Sequence, residues 1–546
     1  MKKIILLSGI ILCSVVATAG EVLLRFGAIS DNHLDRTRPA TFQRTKQAFE
    51  LFKKHNVDFF VDCGDVADTY QPDMFQLWRR LYSEVFSDAG TRPDFLMIPA
   101  GHDRIGTTWE QGYGDFVKLT GSGTVNPVKC IRGFHFVSIA QKEKPDILKQ
   151  NLANAATGSP AGTPIFVITH YPPMNTTPGT SSASGGDKNY RAILNNYPQA
   201  VVISGHTHTR LMDERAIWQG EFTAVNAGTL AYTDNAGIAN ATERCYSYDA
   251  SIWEVYKNKI VIRRFNVADG REMYPDSPWE IPLPFQKKNA PYSRENRMKN
   301  FPVPEFNQET AVTFHPVRHS WDRWGTLNFP SPENSRSLNR YRLVLEKSSS
   351  SNDQYDHHGI IEFVRNKAAG KMECLSFSAG YLEPANYRFT LTPVNYFGRS
   401  GTPAHGKFKV RKVPWKEIKN DYVPIVFSGR KEGQKLTPNS EGFFSAASDF
   451  RLVLPHEIIE RSIQDKKKLI ISIGIECIGA GNPARLRIVN GSGRIVTLDS
   501  ICFRESAQRQ QYTAVFRPSN LQNYSLLIRN GDPGKYRFSN IRFYLY

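Results

Sequence analysis

Cysteine is scarce in this chain of 546 residues, which has seven. No two of them form a C-x-x-C pair, and this dispersal argues against a zinc knuckle. Cys477 and Cys502 fall in adjacent apolar segments. In an oxidising compartment these two would be able to pair, and the alternative is that both are buried free thiols.

Long apolar runs are absent after the first twenty residues, MKKIILLSGIILCSVVATAG. Two lysines, an apolar stretch and Ala17-Thr18-Ala19 have the layout of a secretory signal cleaved before Gly20. The apolar stretch is too short to span a bilayer, and nothing later reaches its length. The sequence therefore predicts a signal peptide at residues 1–19, no transmembrane segment, and a periplasmic or extracellular location.

A concentrated basic motif is missing as well, although the formal net charge is +17. Residues 20–270 carry 26 basic and 26 acidic side chains, so the excess lies in the C-terminal half. A diffuse excess gives no nucleic-acid motif. It is compatible with an anionic polysaccharide or envelope surface as partner, or with an ordinary solvated surface.

The chain divides by pattern into several parts, as its length leads us to expect. From Val22 to about Gly270, short continuous apolar runs alternate with helical stretches such as 40–55, which predicts an α/β layered domain with buried strands. Residues 271–304 are rich in proline and charge and predict a linker. Strand patterns then fill 305–412 and 420–546, and the alternating strands of the last part suggest a β-sandwich.

Side chains typical of metal ligands follow several predicted strands. Carboxyl ends of strands meet at one edge of a layered α/β fold, so residues distant in sequence converge there. Imidazole and carboxylate together suit zinc, manganese or iron. The sequence therefore predicts a metal site, and the stretches are Asp31-Asn32-His33, Gly64-Asp65-Val66-Ala67-Asp68, Gly101-His102-Asp103, His170 and Gly205-His206-Thr207-His208.

The order D-x-H, G-D-x-x-D, G-N-H-[DE], H and G-H-x-H resembles that of the calcineurin-like metallophosphoesterase family, over residues 22 to about 270. The resemblance implies a four-layer αββα sandwich and two divalent metal ions, manganese, zinc or iron. By position it implies that Asp31, His33 and His208 hold one ion, that Asp65 bridges, and that His170 and His206 hold the second. It also implies that His102, oriented by Asp103, faces the substrate.

Gly101 stands where the family has an asparagine that ligates the second metal and helps to position phosphate. Glycine offers no ligand, so the resemblance implies a weakened second site. Either water or a nearby side chain substitutes, or the centre is mononuclear or impaired. Gly101 and Asp68 are the candidate substrate-binding positions. Asp68 also differs from the tyrosine expected in a purple acid phosphatase.

The function that the resemblance implies is hydrolysis of phosphate mono- or diesters by attack of a metal-bound hydroxide. The substrate would be a phosphorylated small molecule, lipid or glycan. The alternative is a catalytically impaired protein of the same fold that serves as an envelope or glycan-binding module. The segment PPMNTTPGTSSASGGDK, which follows His170, predicts either a mobile loop over the site or a simple surface excursion.

Two further resemblances concern the C-terminal parts. The segment LEPANYRFTLTPVNYFGRSG resembles the F strand of a fibronectin type III domain, with Tyr387 as the tyrosine corner and a turn at Asn395 to Gly398. The last part resembles a galactose- or carbohydrate-binding jelly roll. These likenesses imply two β domains that hold the enzyme near a glycan or envelope surface.

Overall fold

The computed structural model describes most of the chain after the predicted signal peptide. Residues 1–19 lie outside the described residues, so the signal peptide stays a prediction. Among the described residues, no helix is both long and apolar enough to cross a membrane. The described residues are 20–88, 90, 92–233, 247–316, 324–348, 355–364, 372–378, 385–409, 416–418, 427–428, 440, 444–446, 450–478, 484–491, 496, 501–503, 506–529 and 534–545.

The first part of the chain alternates strands and helices, as its apolar runs predict. The strands are β1 (Leu24–Ile29), β2 (Phe59–Asp62), β3 (Asp94–Met97), β4 (Val128–Ile131), β5 (Phe134–Ile139), β6 (Ile165–Thr169), β7 (Ala200–Ser204), β8 (Ile217–Gln219), β9 (Thr223–Asn226), β10 (Asp249–Val255), β11 (Lys259–Asn266), β12 (Arg271–Met273) and β13 (Trp279–Pro282). The helices are α1 (Ala40–Lys54), α2 (Pro72–Val85), α3 (Trp109–Thr120), α4 (Pro145–Thr157), α5 (Lys188–Leu194) and α6 (Arg294–Asn300).

These strands form two mixed sheets. The first runs β12-β11-β10-β1-β2-β3 with β13 beside β11, and the second runs β4-β5-β6-β7-β9-β8. The central strands β1, β2 and β3 are parallel, and so are β5, β6, β7 and β9. Each sheet therefore has an edge at which several carboxyl strand ends lie side by side.

The layers follow the predicted order of helices, two sheets and helices. Phe26 of the first sheet packs edge-on against Phe166 of the second, with ring centroids 5.0 Å apart, inside a core that both sheets share. Helices α1 and α2 cover the first sheet, where Phe49 and Trp78 join another buried cluster. Helices α4 and α5 cover the second sheet through residues such as Leu148.

The segment 271–304, predicted as a linker, is partly built into the first sheet. Strands β12 and β13 pair with β11 there, and helix α6 follows. Trp279 and Ile281 alternate inward and are buried, while Glu280 and Pro282 are exposed. Proline and charge mark only the outer face of this edge, which explains why the segment reads as a connection.

The remaining described strands form four antiparallel sheets. Two of these sheets share one buried core that includes Tyr387, Phe389 and Leu391, the residues predicted to point inward. The other two share a second core. The predicted turn is present, because the Gly398 N–H donates to the Asn395 carbonyl at 3.1 Å. The fibronectin type III and jelly-roll assignments and the domain boundaries stay predictions.

These later elements follow each other in chain order. The strands are β14 (Thr313–Pro316), β15 (Trp324–Pro330), β16 (Leu338–Ser348), β17 (Tyr355–Val364), β18 (Met372–Ser378), β19 (Asn386–Asn395), β20 (Ala404–Lys409), β21 (Lys416–Ile418), β22 (Phe427–Ser428), β23 (Phe444–Ala446), β24 (Phe450–Val453), β25 (Leu469–Ile478), β26 (Ala484–Asn490), β27 (Ile501–Phe503), β28 (Ser506–Phe516), β29 (Tyr524–Arg529) and β30 (Gly534–Leu545). Helix α7 (His456–Gln464) lies between β24 and β25. The side chains of Cys477 and Cys502 lie outside the described set, so their pairing stays open.

Candidate metal centre

The candidate ligands lie just beyond the carboxyl ends of β1, β2, β6 and β7, where both sheets open onto one site. Several of these residues have a positive φ, which is rare for a residue with a side chain and typically persists where a site needs it. The strained turns are held by main-chain hydrogen bonds, such as that from the His33 N–H to the Asp65 carbonyl at 3.0 Å. The residues with positive φ are Asp31, His33, Asp65, His206 and His208.

One group of facing ligand atoms is formed by Asp31, His33 and His208, all buried. Asp31 Oδ1 lies 3.2 Å from His208 Nε2 and 3.8 Å from His33 Nε2. The two Nε2 atoms lie 3.2 Å from each other. A carboxylate oxygen and two imidazole nitrogens that converge in this way fit a divalent cation of the zinc or manganese type.

A second group consists of Asp31, Asp65 and His170. Asp65 Oδ2 lies 3.0 Å from His170 Nε2. The ring of His206 is next to that of His170, with centroids 5.2 Å apart, and the His206 N–H donates to Asp31 Oδ2 at 3.0 Å. Asp31 thus belongs to both groups, while the bridging role of Asp65 stays a prediction.

The four histidines share a further feature, because one nitrogen of each ring contacts a protein oxygen. Such a contact fixes the ring and leaves the other nitrogen for a metal, which is the usual arrangement around metal-ligating histidine. This fits the predicted ligand set. The contacts are His33 Nδ1 with Asp68 Oδ1 at 2.9 Å, His170 Nδ1 with the Cys63 carbonyl at 3.0 Å, His206 Nε2 with the Ser184 carbonyl at 2.8 Å and His208 Nδ1 with the Tyr232 carbonyl at 2.7 Å.

Charge in the centre is strongly polarised. Burial would raise the pKa of Asp31 and Asp65, but the neighbouring histidines outweigh it, so the pKa of Asp31 lies well below its usual value and that of Asp65 falls to about 2. Burial opposes protonation of His33 and His170, yet the carboxylates raise their pKa values to about 10 and about 9. The ionised carboxylates therefore hold positive charge between them, as they would hold a metal ion.

His102 and Asp103 depart from the predicted arrangement. The Asp103 carboxylate accepts the main-chain N–H groups of Ala67 and Ala100, each at 2.8 Å. His102 Nδ1 instead lies 2.7 Å from the main-chain carbonyl of Asp68. The prediction that Asp103 orients His102 is therefore wrong, because the short 3-10 helix at 102–104 turns the carboxylate into the protein while the His102 ring stays partly exposed.

The two candidate substrate-binding positions also need comment. The Asp68 carboxylate contacts His33 Nδ1 and lies 2.5 Å from Arg38 Nη2, so it orients a candidate ligand instead of pointing freely at a substrate. Gly101 is where the sequence predicts it, directly before His102. A Cβ at Gly101 would lie 2.7 Å from Oε1 of Gln141, a residue that the motifs do not include.

Sequence reasoning missed the groups that support the histidine rings. Ser184 and Tyr232 act through main-chain carbonyls, which leave no side-chain signal. Ser184 belongs to the loop 172–188, which folds back through a hydrogen bond from the Met174 N–H to the Asp187 carbonyl at 3.0 Å. The loop therefore forms part of the wall around His206. Gln141 does have a signal, since it directly follows the apolar run of a buried strand.

Residues 24–210, about a third of the chain, match the model of the calcineurin-like phosphoesterase family. This match supports a metallophosphoesterase domain in this part of the chain, and the clustered Asp and His groups fit a family that depends on two metal ions. No curated protein matches the chain.

Three solved structures illustrate the likeness. A dimetal phosphatase from Danio rerio is 10% identical, with a TM-score of 0.33, over 44% of this chain and 96% of its own. GAP50, the anchor in the inner membrane complex of Plasmodium, is 15% identical, with a TM-score of 0.34, over 49% and 92%. Purple acid phosphatase PPD1 from yellow lupin seeds is 11% identical, with a TM-score of 0.35, over 47% and 53%.

Proposed function

We propose that this protein is an exported metal-dependent phosphoesterase that hydrolyses phosphate mono- or diesters. The observation that carries the proposal is the convergence of carboxylate and imidazole ligand atoms from four strand ends into two neighbouring groups around Asp31. The family match over residues 24–210 supports the same reaction class.

Two divalent ions would be held by the residues of this centre. Asp31, His33 and His208 would hold the first, and Asp65, His170 and His206 the second. The ions, manganese, zinc or iron, would supply an activated water near neutral pH and neutralise charge on the phosphate oxygens. The protein contributes ring orientation, because each histidine has its second nitrogen bound to a fixed oxygen.

His102 would act on the substrate side of the centre. Its Nδ1 contacts the Asp68 carbonyl, so its Nε2 is left to hydrogen-bond a substrate oxygen. The side chain is 38% exposed, which lets a ligand reach it. In the protonated state, Nε2 would stabilise charge on the phosphate or protonate the leaving oxygen.

The substrate class is a phosphorylated small molecule, lipid or glycan outside the cytoplasm. Export rests on the signal-like residues 1–19, and the C-terminal β units would hold the enzyme near a glycan or envelope surface. The alternative, an impaired protein that acts only as a binding module, rests on the missing side chain at Gly101.

A hydrolysis assay on the full mature chain separates these functions. Generic phosphate monoesters and diesters are offered with added Mn²⁺ or Zn²⁺, and the protein without metal and the Asp31→Asn variant serve as controls. The proposal expects turnover that depends on metal and on Asp31, while His405→Ala, an exposed histidine outside the centre, retains it. A metal-loaded protein that hydrolyses none of the esters yet binds polysaccharide would support the alternative.

A further inference from the structure

The Gln141 side chain is an amide near the candidate metal centre with an unused acceptor. Its Oε1 atom is buried and has no hydrogen-bond partner among the described residues. A buried amide oxygen without a partner costs free energy, so its persistence in a folded protein calls for an explanation such as a bound ion. The position and orientation of this oxygen indicate what would bind it.

The sheet places Gln141 at the same edge as His170. Strands β5 and β6 pair in parallel with Ile139 opposite Thr169. Gln141 follows the end of β5 by two residues, and His170 follows β6 directly, so both leave the sheet side by side. The Tyr113 hydroxyl donates to the main-chain carbonyl of Gln141 at 2.7 Å and anchors it there.

Gly101 leaves the space that the Gln141 side chain occupies. A Cβ at Gly101 would lie only 2.7 Å from Gln141 Oε1, closer than real side-chain carbons come. That separation is comparable with the one between Cβ and Oδ1 within an asparagine. The next residue, His102, donates its N–H to Asp65 Oδ1 at 2.8 Å, which ties position 101 to the second ligand group.

The other end of the amide faces Tyr171. Burial raises the pKa of the Tyr171 phenol, and a side-chain hydrogen bond from Gln141 opposes that rise. A contact that favours the phenolate is a donated N–H, so the amide nitrogen faces Tyr171 and Oε1 faces Gly101. Tyr171 in turn stacks on His206, with ring centroids 3.9 Å apart.

We propose that Gln141 Oε1 is a ligand of the second metal ion, beside Asp65, His170 and His206. It supplies from β5 the amide oxygen that Gly101 does not supply from β3. A neutral oxygen with imidazole and carboxylate suits Mn²⁺ well. The inference rests on the metal centre of the proposed function, and it concerns metal binding, which is measured without any substrate.

The test is calorimetric titration of the metal-free mature protein with Mn²⁺ alone. Gln141→Met removes the oxygen at nearly constant size, Gln141→Glu retains an oxygen, and Gln76→Met on the exposed face of α2 is the matched control. We expect Gln141→Met to weaken the second binding event at least tenfold, with the first unchanged. Gln141→Glu and Gln76→Met should retain both events.

Thermal unfolding with and without Mn²⁺ gives a second readout. The metal-free Gln141→Met protein should unfold no earlier than the parent, because the variant loses only an unpartnered amide, but Mn²⁺ should raise its midpoint less. Two unchanged binding events and an equal Mn²⁺ shift in Gln141→Met would overturn the inference. A parent that binds two ions and hydrolyses no ester would instead refute the proposed function and leave this comparison intact.

Discussion

At the residue scale, the centre depends on pairs of atoms rather than on single ligands. His33 offers Nε2 to the site only because Nδ1 is held by Asp68 at 2.9 Å. Asp68 is in turn held by Arg38 at 2.5 Å, and hydrogen bonds from both, His33 the stronger, lower the pKa of Asp68 to about 1 or below its usual range. A permanently ionised carboxylate therefore fixes the ring and makes it a better ligand.

Removal of this support should weaken metal binding without removal of a ligand. We expect Asp68→Ala to lower affinity for the first metal ion by roughly tenfold to a hundredfold. A titration against a chromophoric chelator measures the change. Asp73→Ala is the control, since Asp73 pairs with Arg36 on the surface. Equal affinities in Asp68→Ala and the parent would show that the contact has no such role.

His102 should behave differently, because it lies on the substrate side. We expect His102→Ala to lower turnover of a phosphate ester by roughly a hundredfold or more while metal content stays unchanged. Metal analysis beside the steady-state rates distinguishes the two effects. Loss of metal in this variant would mean that His102 is a ligand.

These residues also show what the sequence was able to predict. The pattern located every histidine of the centre, because each follows a strand whose apolar run is visible. It assigned Asp103 to His102 because the two are adjacent, whereas a short helical turn sends the carboxylate to the Ala67 and Ala100 amides. The carbonyls of Ser184 and Tyr232 left no signal, since any residue carries one.

At the element scale, the loop 172–188 connects fold and site. It was predicted from its composition as either mobile or a plain excursion, but its backbone packs closely on itself. A Cβ at Gly186 would lie 2.7 Å from the Thr180 carbonyl oxygen and 2.8 Å from Met174 Cα. This packing keeps the Ser184 carbonyl against His206.

Gly186→Ala should therefore disturb a metal ligand from a distance. The added methyl group meets backbone, so the loop must shift and the Ser184 carbonyl should leave His206. We expect weaker binding of the second ion in a Mn²⁺ titration and a lower unfolding midpoint. Gly114→Ala in α3 meets nothing within 4 Å and should leave metal binding unchanged. Identical titrations of the two variants would contradict this role of the loop.

At the scale of the whole molecule, buried ionic contacts connect the two-sheet part with the β unit that follows it. Glu214 accepts from Arg264 Nη1 and Trp279 Nε1, each at 2.9 Å, and lies 3.7 Å from Arg336. Nearby, Arg210 donates to Asn339 at 2.9 Å, only two residues after His208. Charge patterning revealed none of this, because each partner comes from a different element.

The Glu214 cluster predicts a specific pH dependence of stability. Burial would raise the pKa of Glu214, but Arg264 and its neighbours lower it from 4.5 to about 2. The stabilisation is therefore present above pH 4.5 and is lost as the pH falls towards 2. At about 1.4 kcal/mol per pKa unit, Glu214→Gln should cost roughly 3 kcal/mol at neutral pH.

Unfolding of the parent and the Glu214→Gln variant across this pH range measures the effect. The difference in unfolding free energy should shrink steadily below pH 4.5. A difference that stays constant from neutral pH down to pH 3 would show that ionised Glu214 does not stabilise the fold. The exposed Glu309→Gln variant supplies the baseline.

The central claim is that strand ends from two sheets assemble one centre for two metal ions. Metal content per chain, measured by mass spectrometry of the elements after saturation with Mn²⁺ and removal of unbound metal, tests it most directly. The account predicts about two ions per chain in the parent and a clear loss in Asp31→Asn, since Asp31 belongs to both groups. A parent that retains no more metal than Asp31→Asn would contradict it.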